Sequence, residues 1–137
     1  MGFFSFLKRS TPSRLRVSPG TLQDIIRRDL GAHFGAGNKI RLADVGYASV
    51  SQSEAEKFVS AASSYWTVEI NDCDNQAWMA KAAAIKAQFS LGVPLAFGVV
   101  WTEDHALNWY LTHEGRVRLI DQPGASDRLT PITLVLA

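Results

Sequence analysis

The sequence predicts an α+β fold, with N-terminal helices packed on a small antiparallel sheet. Two observations carry this reading. Apolar residues at helical spacing fill the first two thirds of the chain, around residues 22–30, 58–62 and the alanine-rich run after Cys73. β-prone segments follow at 95–101, 106–112 and 116–120. Helices and strands in separate stretches, rather than in alternation, is the α+β layout.

In order along the chain, Thr21 is a helix N-cap for a helix reaching about Phe34. Leu22, Ile25, Ile26 and Leu30 share one of its faces, and Gly35–Gly37 stops it. Residues 39–50 are expected as a strand or extended loop. Ser51 or Ser53 starts a second helix, and Ser53 with Glu56 has capping-box spacing. That helix buries Phe58, Val59 and Ala62 and ends near Tyr65. Residues 66–70 alternate and are β-prone. A polar run, Asn71 to Asn75, leads into the alanine-rich helix, which reaches about Phe89. Gly92 and Pro94 punctuate. The turn at Glu114-Gly115 makes the last two of the three strand candidates a hairpin. Residues 131–137 close the chain as a strand or packed extended end.

The 137 residues, 47% hydrophobic and 20% charged, suit one packed domain and exclude global disorder. A formal net charge of +1 argues against nucleic-acid binding by bulk charge. Lys8, Arg9, Arg14 and Arg16 fall within residues 1–19, which hold no acid; the rest carries 10 basic against 13 acidic residues, a net of −3. Residues 1–19 are therefore expected as a mobile basic arm able to dock on a partner, and 20–137 as the folded domain. The one cysteine excludes an internal disulfide and a multi-cysteine zinc site. No run of about 18 apolar residues is present to span a membrane. The start, MGFFSFLKR, has its apolar and basic parts in the reverse of signal-peptide order. Phe6 stands where a myristoylation signal wants Ser or Thr. The expected location is the cytoplasm, including that of a bacterium carrying a phage-derived protein.

Cys73 falls at the start of the alanine-rich helix. Unpaired N–H groups there favour an anion, so a nucleophilic thiolate fits the position; the plainer reading is a small buried hydrophobe. His105 opens a strand after Thr102-Glu103-Asp104 and can serve as base to the thiol and acid to a leaving group. His33 and His113 lack comparable context. Asp121 ends the partner strand of the hairpin, where pairing brings it beside His105 to orient the imidazole. Asn108 is read as a supporting polar residue, and Gln52 as an oxyanion donor. Trp66, Trp78, Trp101 and Trp109 read as core or cleft wall. Asp72 and Asp74 suit helix capping.

The stretches Asn71-Asp72-Cys73-Asp74-Asn75-Gln76-Ala77, His105-Ala106-Leu107-Asn108 and Leu119-Ile120-Asp121-Gln122-Pro123 resemble a papain-like cysteine protease family. It is related to the C-terminal domain of the Marasmius agglutinin and has small bacterial and phage members. The resemblance implies a papain-like fold and cleavage of a peptide or amide through an acyl-enzyme. Cys73 would be the nucleophile, His105 the base and Asp121 the orienting acid. It also implies calcium, with Asp72 and Asp74 as ligands, and Asn75 and Gln122 supply further oxygens nearby. Two departures stand out. Asn75 replaces an acid of the family pattern, and the third motif reads Asp-Gln-Pro instead of acid-Pro-Gln. A cell-wall amidase of the NlpC/P60 kind and a transglutaminase-like enzyme are variants of the same chemistry. The alternative from another class is a non-catalytic binding protein on this fold, for example a phage or mobile-element protein acting on a host target.

Overall fold

The computed structural model describes residues 13–62, 73–122 and 129–137. The expected β-prone segment at 66–70, Asp72 and the first twelve residues of the arm lie outside them. Within the described residues, seven strands and three α-helices run in the order β1 (Arg16–Val17), α1 (Pro19–Leu30), β2 (Phe34–Arg41), β3 (Tyr47–Ala48), α2 (Gln52–Ala62), α3 (Cys73–Leu91), β4 (Phe97–Thr102), β5 (Ala106–Leu111), β6 (Val117–Ile120) and β7 (Ile132–Leu136). The expected α+β class holds. The main sheet has the order β2-β7-β4-β5-β6. It is antiparallel except at one edge, where β7 runs parallel to β2.

Alternation along β5 divides the core. Leu107, Trp109 and Leu111 join Leu22, Ile26 and Leu30 of α1 on one side of the sheet. Tyr110 joins Phe58 and Val59 of α2 and Ala80 and Ala84 of α3 on the other. Phe58 meets Phe97 edge-on, with ring centroids 5.2 Å apart.

Local chemistry moves several expected boundaries. Ser18, not Thr21, caps α1: its Oγ accepts from Thr21 N at 3.1 Å, and Pro19 follows in the first turn, where a missing N–H costs nothing. The helix stops at Leu30, and Gly35–Gly37, expected to end it, lie within β2. Gly35 fits there because a Cβ would stand only 3.1 Å from Pro131 Cβ. Gly37, at φ 73°, takes up the register shift between Phe34 and Lys39.

Part of the expected arm belongs to the body. Arg16 and Val17 pair with Ala48 and Tyr47, and Leu15 N donates to Ser49 Oγ at 2.8 Å. Arg14 donates to Ser49 O and grips both carboxylate oxygens of Glu54. The boundary expected at residue 19 is therefore corrected for Arg14 to Ser18.

Glu54 also decides how α2 begins. Ser51 N donates to Glu54 Oε1 at 3.0 Å and Glu54 N to Ser51 Oγ at 3.1 Å, so the capping box is Ser51/Glu54 and not Ser53/Glu56. The Arg14 hydrogen bond, with smaller help from Ser51 and against the cost of burial, lowers the Glu54 carboxyl from about 4.5 to about 2. Because the folded value is depressed, its stabilisation is present above pH 4.5 and fades as pH falls towards 2. Screening at this partly exposed pair reduces the contribution to about 1–2 kcal/mol. Thermal melts from about pH 6 to about pH 2.5 should show Glu54→Gln already destabilised at the upper end and converging on the parent at the lower. A constant gap between the two curves would remove Glu54 as the titrating group.

Candidate functional site

His105 is set by a tight turn at the end of β4. Thr102 N donates to His105 O at 2.8 Å, and His105 N donates to Thr102 Oγ1 at 3.0 Å. Asp104 accepts from Thr130 Oγ1 at 2.6 Å, and that hydroxyl holds its carboxyl below the usual range. The β5–β6 register pairs Asn108 with Ile120, so the start of β5 lies beside the end of β6. The imidazole Nε2 of His105 thereby meets Asp121 Oδ2 at 2.6 Å. Asp121 Oδ1 accepts from Gln122 N at 2.7 Å, which holds the carboxylate in place. The expected His105–Asp121 pair is thus formed, as the hairpin register requires.

Cys73 is the first residue of α3 and is half-buried. It packs with Trp101 against the small cluster of Ala77, Val99 and Ala106, which sets it beside the start of β5. Among the described residues its sulfur makes no hydrogen bond, so it is not joined to His105.

Asn108 does not support the imidazole. It is buried, three residues beyond His105, and its amide donates to Ala77 O at 2.9 Å and to Gly98 O at 3.0 Å. Its role is to tie α3 to the sheet. Gln52 is exposed and donates to Glu56 Oε1 one turn along α2. It lines a different cleft, which corrects the expected oxyanion role.

Of the four expected calcium ligands, Asp74, Asn75 and Gln122 fall among the described residues. Asp74 Oδ1 accepts from Asn75 N, Asn75 is exposed, and Gln122 Nε2 donates to Val59 O at 3.3 Å. Gln122 Oε1 is buried without a partner among the described residues. Among the described residues no three His, Cys, Asp or Glu side chains cluster as metal ligands. Asp72, the other expected carboxylate ligand, lies outside the described residues.

The cleft that takes in Gln52 has a volume of ≈ 620 Å³ and is walled by Tyr110, Thr112, His113, Glu114 and Arg118. It opens where the first turn of α2 faces the β5–β6 hairpin. His113 Nδ1 is bonded to Ser49 Oγ at 2.6 Å, so the ring has a fixed setting. Arg118 and Glu114 are exposed, and neither forms an ion pair among the described residues. Burial raises the Tyr110 hydroxyl above its ordinary value. The sequence marks His113 only as a hairpin histidine and gives no role to Tyr110 or Arg118. Alternation in β5 and β6 is the signal that could put Tyr110 and Arg118 together; the Ser49 contact has none.

No protein-family model matches the chain. No curated protein matches it in sequence. Two solved structures of a Polyporus squamosus lectin do match in fold. One is PSL1a in complex with E64, with a TM-score of 0.74 and 18% identity over 90% of this chain and 51% of that one. The other is the lectin bound to the human-type influenza-binding epitope Neu5Aca2-6Galb1-4GlcNAc, with a TM-score of 0.70 and 18% identity over 90% and 50%. The chain therefore spans about half the length of the lectin chain it matches. The expected cysteine hydrolase, with its peptide or amide substrate, is corrected on these findings: the neighbours are lectin structures, and Cys73 is not hydrogen-bonded to His105. The resemblance drawn from the motifs survives in its coarser form, and the chain has the α+β fold of about half of the Polyporus squamosus lectin.

Proposed function

We propose that this chain is a non-catalytic binding protein whose ligand is a glycan. The observation that carries the reading is the polar cleft between α2 and the β5–β6 hairpin. Sugars present hydroxyl arrays on an apolar ring face. They are held by planar polar groups that make paired hydrogen bonds and by an aromatic edge or face. Gln52, Glu114 and His113 supply the first, and Tyr110 the second. Arg118, unpaired among the described residues, suits an acidic sugar because a guanidinium forks onto a carboxylate. One structural neighbour holds a sialylated epitope, which supports the same ligand class. No helix of the described residues is long and apolar enough to cross a membrane.

The test is calorimetric titration with the sialylated trisaccharide, backed by a glycan array. The parent chain should bind, and Arg118→Ala should weaken binding about tenfold, near the value of one charge-assisted hydrogen bond. Cys73→Ser should bind as the parent does. Silence on the array, or equal losses in Arg118→Ala and Cys73→Ser, would defeat the reading.

A further inference from the structure

We propose that a second cleft, between α3 and the β7 side of the sheet, binds a small monocarboxylate with an apolar body, seating its carboxylate on Lys81. The cleft has a volume of ≈ 360 Å³, within the range of small-molecule sites. Its walls include Trp78, Ile85, Val99 and Leu136, and its cations are Lys81 and Arg41. Ala137 lies on the rim, where its oxygen accepts from Ala43 N.

Lys81 is the unusual member. A lysine on a two-layer helix ordinarily runs its stem outward and keeps its ammonium in water. Here Ala77, Ala80 and Ala84 turn one face of α3 into the core, and Lys81 lies on that face with 8% of its surface exposed. Its Nζ donates to Phe97 O at 2.8 Å. That is its one hydrogen bond among the described residues, although an ammonium has three donors. Burial lowers its basicity, and the negative charge of Asp44 opposes this without a hydrogen bond. A buried ammonium on a single neutral acceptor is a costly arrangement that a methionine of similar length would avoid. A bound carboxylate supplies an acceptor for the remaining donors and adds a directly bonded counter-charge to the more distant one of Asp44.

The rest of the cleft matches such a ligand. No acidic side chain is among the lining residues. Arg41 ends β2, is exposed and has no ion pair among the described residues. Trp78, 44% exposed, stands edge-on to Trp101 at 5.5 Å and offers an aromatic wall to an apolar chain. The two clefts share no lining residue, so this site and the glycan reading fail or stand separately.

The probe is octanoate, followed by calorimetry and by tryptophan fluorescence, with octanol as the uncharged control. Octanoate should bind one to one, change the emission and raise the melting temperature, and octanol should bind at least about tenfold more weakly. Lys81→Met should abolish octanoate binding while keeping or raising thermal stability. Ala82→Trp, at an exposed lining position, should block the cleft without touching the core. Absence of octanoate binding by the parent chain overturns the proposal. So does equal affinity for octanol, or undiminished binding by a folded Lys81→Met chain. If Lys81→Met fails to fold, undiminished binding by Ala82→Trp overturns it instead.

Discussion

Gly98→Ala is expected to yield no stably folded protein. Gly98 lies in β4, between β7 and β5, and is buried. A methyl group there would overlap Leu136 O and stand 2.6 Å from Trp109 Nε1. Those two groups are bonded to each other, the indole N–H donating to Leu136 O at 2.9 Å. The methyl therefore cannot be accommodated by turning a flexible side chain. Either β7 moves away from β4, carrying the parallel β2 with it, or the indole of Trp109 leaves the core. Overpacking of ordinary cores costs about 1–3 kcal/mol, and a clash with strand backbone exceeds that range. Circular dichroism and urea denaturation would report the loss. Gly20→Ala is the control. A Cβ at Gly20, in the first turn of α1, meets nothing within 4 Å, so that variant should be neutral or slightly more stable. Native-like melting of Gly98→Ala would show that β4 and β7 are not packed as described.

Asn108→Leu is expected to cost about 2–3 kcal/mol, from the loss of hydrogen bonds to buried acceptors, and to loosen α3 before the sheet. The side chain is 2% exposed and branches as leucine does, so the variant keeps the shape, adds some volume and removes the polar atoms. What is lost is the pair of hydrogen bonds to Ala77 O and Gly98 O, and the penalty for leaving buried acceptors unpaired sets the magnitude. Because one bond reaches α3 and the other β4, hydrogen exchange should speed up in the first turns of α3 and leave β6 amides unchanged. Uniform protection across α3 in this variant would contradict the tether. Asn108→Asp should be worse, since a carboxylate would face two carbonyl oxygens.

The chain shows clearly which features local pattern can carry. Leu22, Ile26 and Leu30 lie on the buried face of α1 as their spacing predicts. The pairing of His105 with Asp121 follows from one turn and the register of two adjacent strands, a separation of 16 residues. The start of α2 is legible in sequence only as a choice, because Ser51/Glu54 and Ser53/Glu56 both have capping-box spacing. Arg14, 40 residues earlier in sequence, resolves it by gripping Glu54. Sequence alone assigns Arg14 to a mobile arm, because its charge reads as a property of the segment while its partner is out of sight.

The sequence by itself determined the α+β class, the order of the three helices followed by β4, β5 and β6, the buried faces of α1 and α2, and the His105–Asp121 pair. Each depends on periodicity or on a turn between neighbouring elements, where few arrangements compete. Tertiary structure alone decided that β7 lies between β2 and β4, that Gly35 to Gly37 are strand instead of helix stop, and that Gln52 faces the cleft of His113 and Arg118. It also decided that Lys81 turns inward and that the Cys73 sulfur makes no hydrogen bond to His105. These outcomes depend on segments far apart in the chain. The free energy of such contacts comes from burial and from acceptors such as Phe97 O that become neighbours only after the sheet has formed.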